Sequence, residues 1–415
     1  MVKPAASVLA GALVALTAAA GCTSGTTATR TSPTPSFTPT TASTATATPE
    51  PSMTSTMAPT GTQPRPTPTH TATQTADAVR VFRSMTEAQR VGQLFMVGAS
   101  TTGPDAATMS AITTDHVGSV ILTGTSYGGV AAIAGISHGL QAATNTAKLF
   151  IAADQEGGEV QRLQGPGFDA IPTATQQGAM PPAQLRADAR RWGAQLRAAG
   201  VNLNLAPVMD TVPAGAPNPP IGAMSRQYGS DPVTVATHGV AFAQGMADAG
   251  IDATAKHFPG LGRVADNTDT SAGVTDHVTT RRDAFLVPFA AAVKAGVAFV
   301  MMATAYYSRI DPARPAAFSP TIVTGMLRGD LGFRGVVVSD DLGGAAQVAA
   351  YAVGARAVDF IAAGGDVVLT VDAGQIPQMS AAVLAAAKAD PRFRTRVDAA
   401  ALRVLRAKQA RGLLS

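Results

Sequence analysis

Charged residues close several short apolar runs of this 415-residue sequence, and their types restrict the chemistry available to them. The run 149–153 is followed by Asp154-Gln155-Glu156-Gly157-Gly158, and 201–207 by Val208-Met209-Asp210. The run 252–256 ends in Lys256 and continues His257-Phe258-Pro259-Gly260, and 335–339 is followed by Asp340-Asp341. A single Asp after a strand is usually a helix N-cap. Four runs ending in an acid or a Lys-His pair are more than capping needs. With Arg162 and Arg226 added, the set suits a polyhydroxylated, uncharged ligand, because hydrogen bonds from charged groups are the strong kind. It also supplies a carboxylate nucleophile with charged neighbours to tune it. Carboxylates as the main reactive groups point to glycosyl transfer, in which a retaining glycosidase uses one as nucleophile and a second group as acid and then base. No phosphate-binding Gly-x-x-x-x-Gly-Lys-Ser/Thr loop is present. No His-x-x-x-His pair or other tight ligand spacing supports a metal, so no metal or cofactor is expected.

The elements that must carry these residues follow from the apolar pattern. Eight β-rich runs fall at 93–97, 118–122, 149–153, 201–207, 252–256, 299–303, 335–339 and 366–370. Continuous apolar runs of this length predict strands buried on both faces, hence a parallel sheet. Ala-rich stretches predict helices over 182–199, 233–249, 280–295 and 342–363, each followed by a Gly (Gly200, Gly250, Gly296, Gly364) suited to a left-handed stop. Alternation of strand and helix gives an α/β protein. Eight strands in this length fit a single (β/α)8 TIM-type barrel, with chemistry at the C-terminal rim of the strands. A doubly wound open sheet is the rival, but no Gly-x-Gly-x-x-Gly follows the first run.

Three segments then resemble hallmarks of family-3 glycoside hydrolases: Asp154-Gln155-Glu156-Gly157-Gly158-Glu159-Val160-Gln161-Arg162, Lys256-His257-Phe258-Pro259-Gly260, and the stretch from Leu331-Gly332-Phe333 to Ser339-Asp340-Asp341-Leu342. The resemblance extends over about 85–414 and is strongest to the single-domain bacterial β-N-acetylglucosaminidases (β-hexosaminidases). It implies the same barrel and a retaining, exo-acting hydrolysis of terminal β-linked N-acetylglucosamine, with cell-wall or muropeptide fragments as substrate. It implies Asp340 as nucleophile, with Asp341 as a supporting carboxylate. Asp154, Arg162, Arg226, Lys256 and His257 are the implied substrate ligands. Asp210 follows Ala-Pro-Val as in the family, without a clear role. A β-glucosidase or β-xylosidase of the same family, or a sugar-binding lipoprotein with weak catalysis, are the alternatives.

One loop departs from the family. Relatives continue Lys-His-Phe-Pro-Gly with Gly-His-Gly and end in Asp-Ser-His, whose His is the acid/base. Here the loop reads Gly260-Leu261-Gly262-Arg263-Val264-Ala265-Asp266-Asn267-Thr268-Asp269, without a histidine. Asp269 occupies the position of that His and is the candidate acid/base, with Asp266 as the second candidate. Pro259, Gly260 and Gly262 suggest a mobile loop that delivers the acid once substrate is bound.

The remaining sequence concerns location. Residues 1–22 read as a signal segment: Lys3, an apolar stretch too short for a comfortable membrane span, and Ala19-Ala20-Gly21-Cys22 at a lipobox-like end. Cys22 is the sole cysteine, which excludes a disulfide framework, and its place suggests lipidation. Residues 23–75, almost only Thr, Ser, Pro and Ala, have no apolar periodicity and predict a disordered tether. The barrel domain is expected over 76–415. These features predict an exported protein on the outer face of the cell membrane, or a secreted one. With a net charge of only +4 and no basic run, nucleic acid is not an expected partner.

Overall fold

The computed structural model describes residues 70–414. Cys22, the signal segment and most of the expected tether lie outside the described residues. Eight parallel strands close into a barrel: β1 (Phe95–Ser100), β2 (Ser119–Thr123), β3 (Phe150–Ala153), β4 (Leu203–Asn204), β5 (Asp252–Phe258), β6 (Phe299–Met302), β7 (Val336–Asp341) and β8 (Val367–Thr370). Each pairs with its neighbours in sequence, and β1 closes on β8 through Phe95–Val368 and Met96–Leu369. Each of the eight expected runs overlaps one barrel strand, so the open-sheet alternative is excluded.

Alternation along the strands decides what fills the barrel. Met96, Phe150, Ala152, Leu203, Phe299, Val336, Val338 and Val367 form one apolar cluster in its interior. Above them Ile121, Leu205, Met301 and Leu369 form a layer from the even-numbered strands and floor the cavity described below. A step of two carries the same inward face from Ala152 to Asp154, from Thr254 to Lys256 and from Val338 to Asp340. Three odd strands therefore deliver polar groups immediately above an apolar floor.

The outer helices include Pro182–Ala198, Pro232–Asp248, Val287–Lys294 and Val353–Ala363, and their terminal glycines all have positive φ. Two expected helices are shorter than predicted. Residues 342–352 form a loop with one 3₁₀ turn, Ala346–Val348, although Ala-rich composition suggested helix. The Asp341 carboxylate accepts the Gly343 and Gly344 amides, and the Arg356 guanidinium donates to four carbonyls of this loop, from Leu342 to Tyr351. Residues 280–283 likewise form a turn, where Asp283 accepts the Phe285 amide and so caps a 3₁₀ turn that leads into Val287–Lys294. At the other end, the helix His70–Ser84 begins inside the segment expected to be a tether. Its Ala78 amide donates to Gln409 of the C-terminal helix Pro391–Ala410.

Candidate active site

At the C-terminal rim a cavity of about 470 Å³ opens over the apolar floor. Asp154, Arg162, Arg226, Lys256, His257, Asp269, Asp340 and Asp341 all line it, which brings together every site residue expected from the sequence within the described chain except the second acid/base candidate. Asp266 does not line it and is exposed on the same loop, so Asp269 is the candidate of the two that reaches the site.

Three of the cavity's lining residues, Asp154, Lys256 and Arg226, belong to a charge network built on buried Glu156. Lys256 Nζ is 2.6 Å from Asp154 Oδ1 and 2.6 Å from Glu156 Oε1. Arg226 holds Glu156 with both ends of its fork, Nε to Oε2 at 2.8 Å and Nη2 to Oε1 at 2.7 Å. Glu156 stands two residues beyond Asp154 on a short hairpin, Gln155–Gly157 against Val160–Gln161. Burial alone would push its carboxyl up. The charges and hydrogen bonds of Arg226 and Lys256 overcome that and hold its pKa at about 2. Burial would also lower the pKa of Lys256, but Asp154 and Glu156 raise it above the usual lysine value, so it stays charged. No role for Glu156 follows from the sequence alone. The usable signal was the period of two, which places it beside Asp154.

Asp210 forms the second anchor, and its role becomes clear here. Completely buried, it accepts His257 Nδ1 through Oδ2 at 2.7 Å and the amides of His257 (3.1 Å) and Leu261 (3.0 Å) through Oδ1. The His257 ring is thereby fixed at the cavity wall. The β5–β6 register shifts between Ala255 and Phe258, which breaks strict alternation and lets consecutive Lys256 and His257 both reach the cavity. A similar shift between β7 and β8 accompanies consecutive Asp340 and Asp341.

Those two carboxylates do different things. Both Asp341 oxygens are engaged by backbone, Gly343 at 2.8 Å, Gly344 at 3.0 Å and Val371 at 3.2 Å, so the side chain shapes the loop after β7. Asp340 accepts only the amide of Asp341, at 3.0 Å, among the described residues. Burial pushes its carboxyl above the usual carboxylate range. His257 opposes the rise, Asp269 adds to it, and the Asp341 amide and Lys256 pull it down.

Neighbouring segments bond to the start of the loop of residues 260–274. Asn218 Nδ2 donates to the carbonyls of Leu261 (2.8 Å) and Val264 (3.0 Å). Arg263 pairs with Asp283 at 2.8 Å and lies over the Phe285 ring. The chain also spells Gly-x-Ser-x-Gly at 124–128 and 135–139, but neither is a nucleophile elbow. Ser126 has no positive φ and its hydroxyl accepts the Gly128 amide, while Ser137 is buried within the helix Gly129–Ala143.

Comparison with known proteins agrees with this geometry. The family described as Glycosyl hydrolase family 3 N terminal domain matches residues 86–407. The chain belongs to glycosyl hydrolase family 3. It is 38% identical over 289 residues to a beta-hexosaminidase of Xanthomonas oryzae pv. oryzae, covering 66% of this chain and 83% of that protein. The crystal structure of a beta-N-acetylhexosaminidase from Beutenbergia cavernae DSM 12333 superposes with a TM-score of 0.77 at 53% identity, covering 79% of this chain and 99% of that one. A glycoside hydrolase family 3 beta-N-acetylglucosaminidase from Paenibacillus sp. str. FPU-7 superposes with a TM-score of 0.73 at 33% identity, over 80% of this chain and 64% of that one.

Proposed function

We propose that this family-3 glycoside hydrolase is a retaining, exo-acting β-N-acetylglucosaminidase in which Asp340 is the nucleophile and Asp269 the acid/base. The observation that carries this reading is that both carboxylates face one cavity that ends on the apolar layer of Ile121, Leu205, Met301 and Leu369. A closed floor accepts the end of a glycan rather than its middle, and the volume lies within the range of about 300–1,000 Å³ usual for small-ligand pockets. The hexosaminidase names of the relatives support the choice of N-acetylglucosamine as the sugar.

In this reading Asp340 attacks C1 while Asp269 protonates the departing oxygen, giving a covalent glycosyl-enzyme. Asp269 then takes a proton from water, the water oxygen bonds to C1, and the C1–Asp340 bond breaks. Asp154, Lys256, His257, Arg162 and Arg226 hold the sugar, with Lys256 and Arg226 fixed in place by Glu156. Asp341 borders the cavity but spends its hydrogen bonds on the loop, which leaves it a smaller part in binding. Cell-wall or muropeptide fragments are the proposed natural substrates. Lipidation of Cys22 after export, with the Thr/Ser/Pro-rich segment as spacer, places the enzyme on the outer face of the membrane.

A panel of chromogenic β-N-acetylglucosaminide, β-glucoside and β-xyloside tests the activity. Rapid hydrolysis of the first alone is expected. Preference for either of the others contradicts the sugar assignment, and silence on all three, with retained sugar binding, makes the protein a binding lipoprotein.

A further inference from the structure

Asp269 sits between two fixed backbone bonds. Its amide donates to Asn267 Oδ1 at 2.9 Å, and its carbonyl accepts the Ala346 amide at 3.1 Å. Next to it, the carbonyl of buried Thr268 accepts the Gln347 amide at 3.1 Å. The Gln347 side chain then grips the same segment five residues further on. Its Oε1 accepts the Val274 amide at 2.9 Å, and its Nε2 donates to the Val274 carbonyl at 3.0 Å. Gln347 is almost fully buried and lies on the 3₁₀ turn Ala346–Val348, in the loop that leaves the end of β7 just after Asp340.

The loop bearing Asp269 is therefore bonded, on both sides of that residue, to the loop that follows the nucleophile's own strand. We infer that Gln347 is a positioning residue that holds Asp269 opposite Asp340 before substrate arrives. The inference rests on the reading of Asp269 as acid/base. An amide is suited to the task because it offers one acceptor and one donor to the two backbone groups of a single residue, much as a neighbouring strand does. A carboxylate at 347 can accept from the Val274 amide but cannot donate to its carbonyl. An alanine can do neither. A misplaced acid harms catalysis in proportion to how much the leaving group needs protonation, whereas loosened packing alone harms all substrates alike.

The test compares Gln347→Ala, Gln347→Glu and Asp269→Ala with the parent protein. Two readouts are used: hydrogen exchange of the peptide spanning 264–275, and kcat/KM for an unactivated N-acetylglucosaminyl disaccharide and for a dinitrophenyl N-acetylglucosaminide. In Gln347→Ala, exchange of that peptide is expected to accelerate about tenfold or more, in line with local opening of an unclamped segment. Turnover of the disaccharide should fall about tenfold or more while the activated substrate stays within about threefold, since general acid help is worth about 10²–10⁴ in rate. Gln347→Glu should fall between, and it carries the same comparison if the Ala variant does not fold. Unchanged exchange, or equal loss on both substrates, overturns the positioning role. Asp269→Ala separates the two ideas. If it shows the leaving-group split and Gln347→Ala does not, only the clamp falls; if it shows none, the acid/base reading falls and takes this inference with it.

Discussion

The pair Asp340 and Asp269 carries the proposed chemistry. Burial and the Asp269 charge both raise the pKa of Asp340, while His257, the Asp341 amide and Lys256 lower it. A nucleophile must be ionised to attack, so the acid limb of kcat/KM reports this group in the free enzyme. Of the groups that lower it, His257 has the largest effect, so His257→Asn should make ionisation of Asp340 harder. The acid limb, followed with an activated leaving group that needs no acid, should therefore move to higher pH. An unmoved limb, or one at lower pH, would show that His257 does not act on the nucleophile. The side chains that line the cavity were legible in sequence because they follow apolar runs at strand ends. The groups that hold them were not: Glu156 meets Arg226 across 70 residues, and Asp210 meets His257 across 47. Such pairings exist only once the barrel closes.

Among the elements, the hairpin after β3 shows how binding groups and stability are linked. Through Glu156 it ties β5, by Lys256, to the segment at Arg226. The Glu156 pKa is depressed from 4.5 to about 2, so its contribution to stability is fully present above about 4.5 and is lost as pH falls toward 2. At 1.36 kcal/mol per unit, that contribution is on the order of 3 kcal/mol. Glu156→Gln leaves buried Arg226 without its anion and Lys256 with Asp154 alone, which should cost about 3–5 kcal/mol at neutral pH. Urea unfolding across pH should show this gap, closing as the parent is acidified below 4.5. A constant gap, or none, would mean that Glu156 is not ionised in the fold. The eight strands and the glycine helix stops were legible because burial on both faces and left-handed stops leave strong local patterns. The loop 342–352 was not. Its alanines favour helix, but side chains of Asp341 and Arg356 take the backbone groups a helix would use, and only Gly343-Gly344 hinted at the break.

At the scale of the whole molecule, the barrel supplies the floor and the rim supplies the chemistry. Four apolar side chains close the cavity from below, which is why an exo mode of action accompanies the proposed mechanism. The described chain begins with the helix His70–Ser84, so the proposed anchor must act through the 47 residues from Thr23 to Thr69. A single acyl chain binds membranes only marginally, and stable anchoring needs more than one. Diacylation of Cys22 would supply that, and Cys22→Ala should release an active enzyme into the soluble fraction. Retention of that variant on membranes would contradict lipid anchoring through Cys22.

The central claim is that two carboxylates divide the work, one forming the bond to the sugar and the other moving protons. Asp269→Ala tests both halves at once when mixed with a dinitrophenyl N-acetylglucosaminide and quenched for mass spectrometry. The good leaving group departs without an acid, but water attacks slowly without a base, so the glycosyl-enzyme should accumulate. The account predicts added mass of one N-acetylhexosaminyl residue on the peptide containing Asp340. The adduct should disappear when azide, which needs no base, is added. No adduct at steady state, or an adduct on a peptide other than that of Asp340, would contradict it.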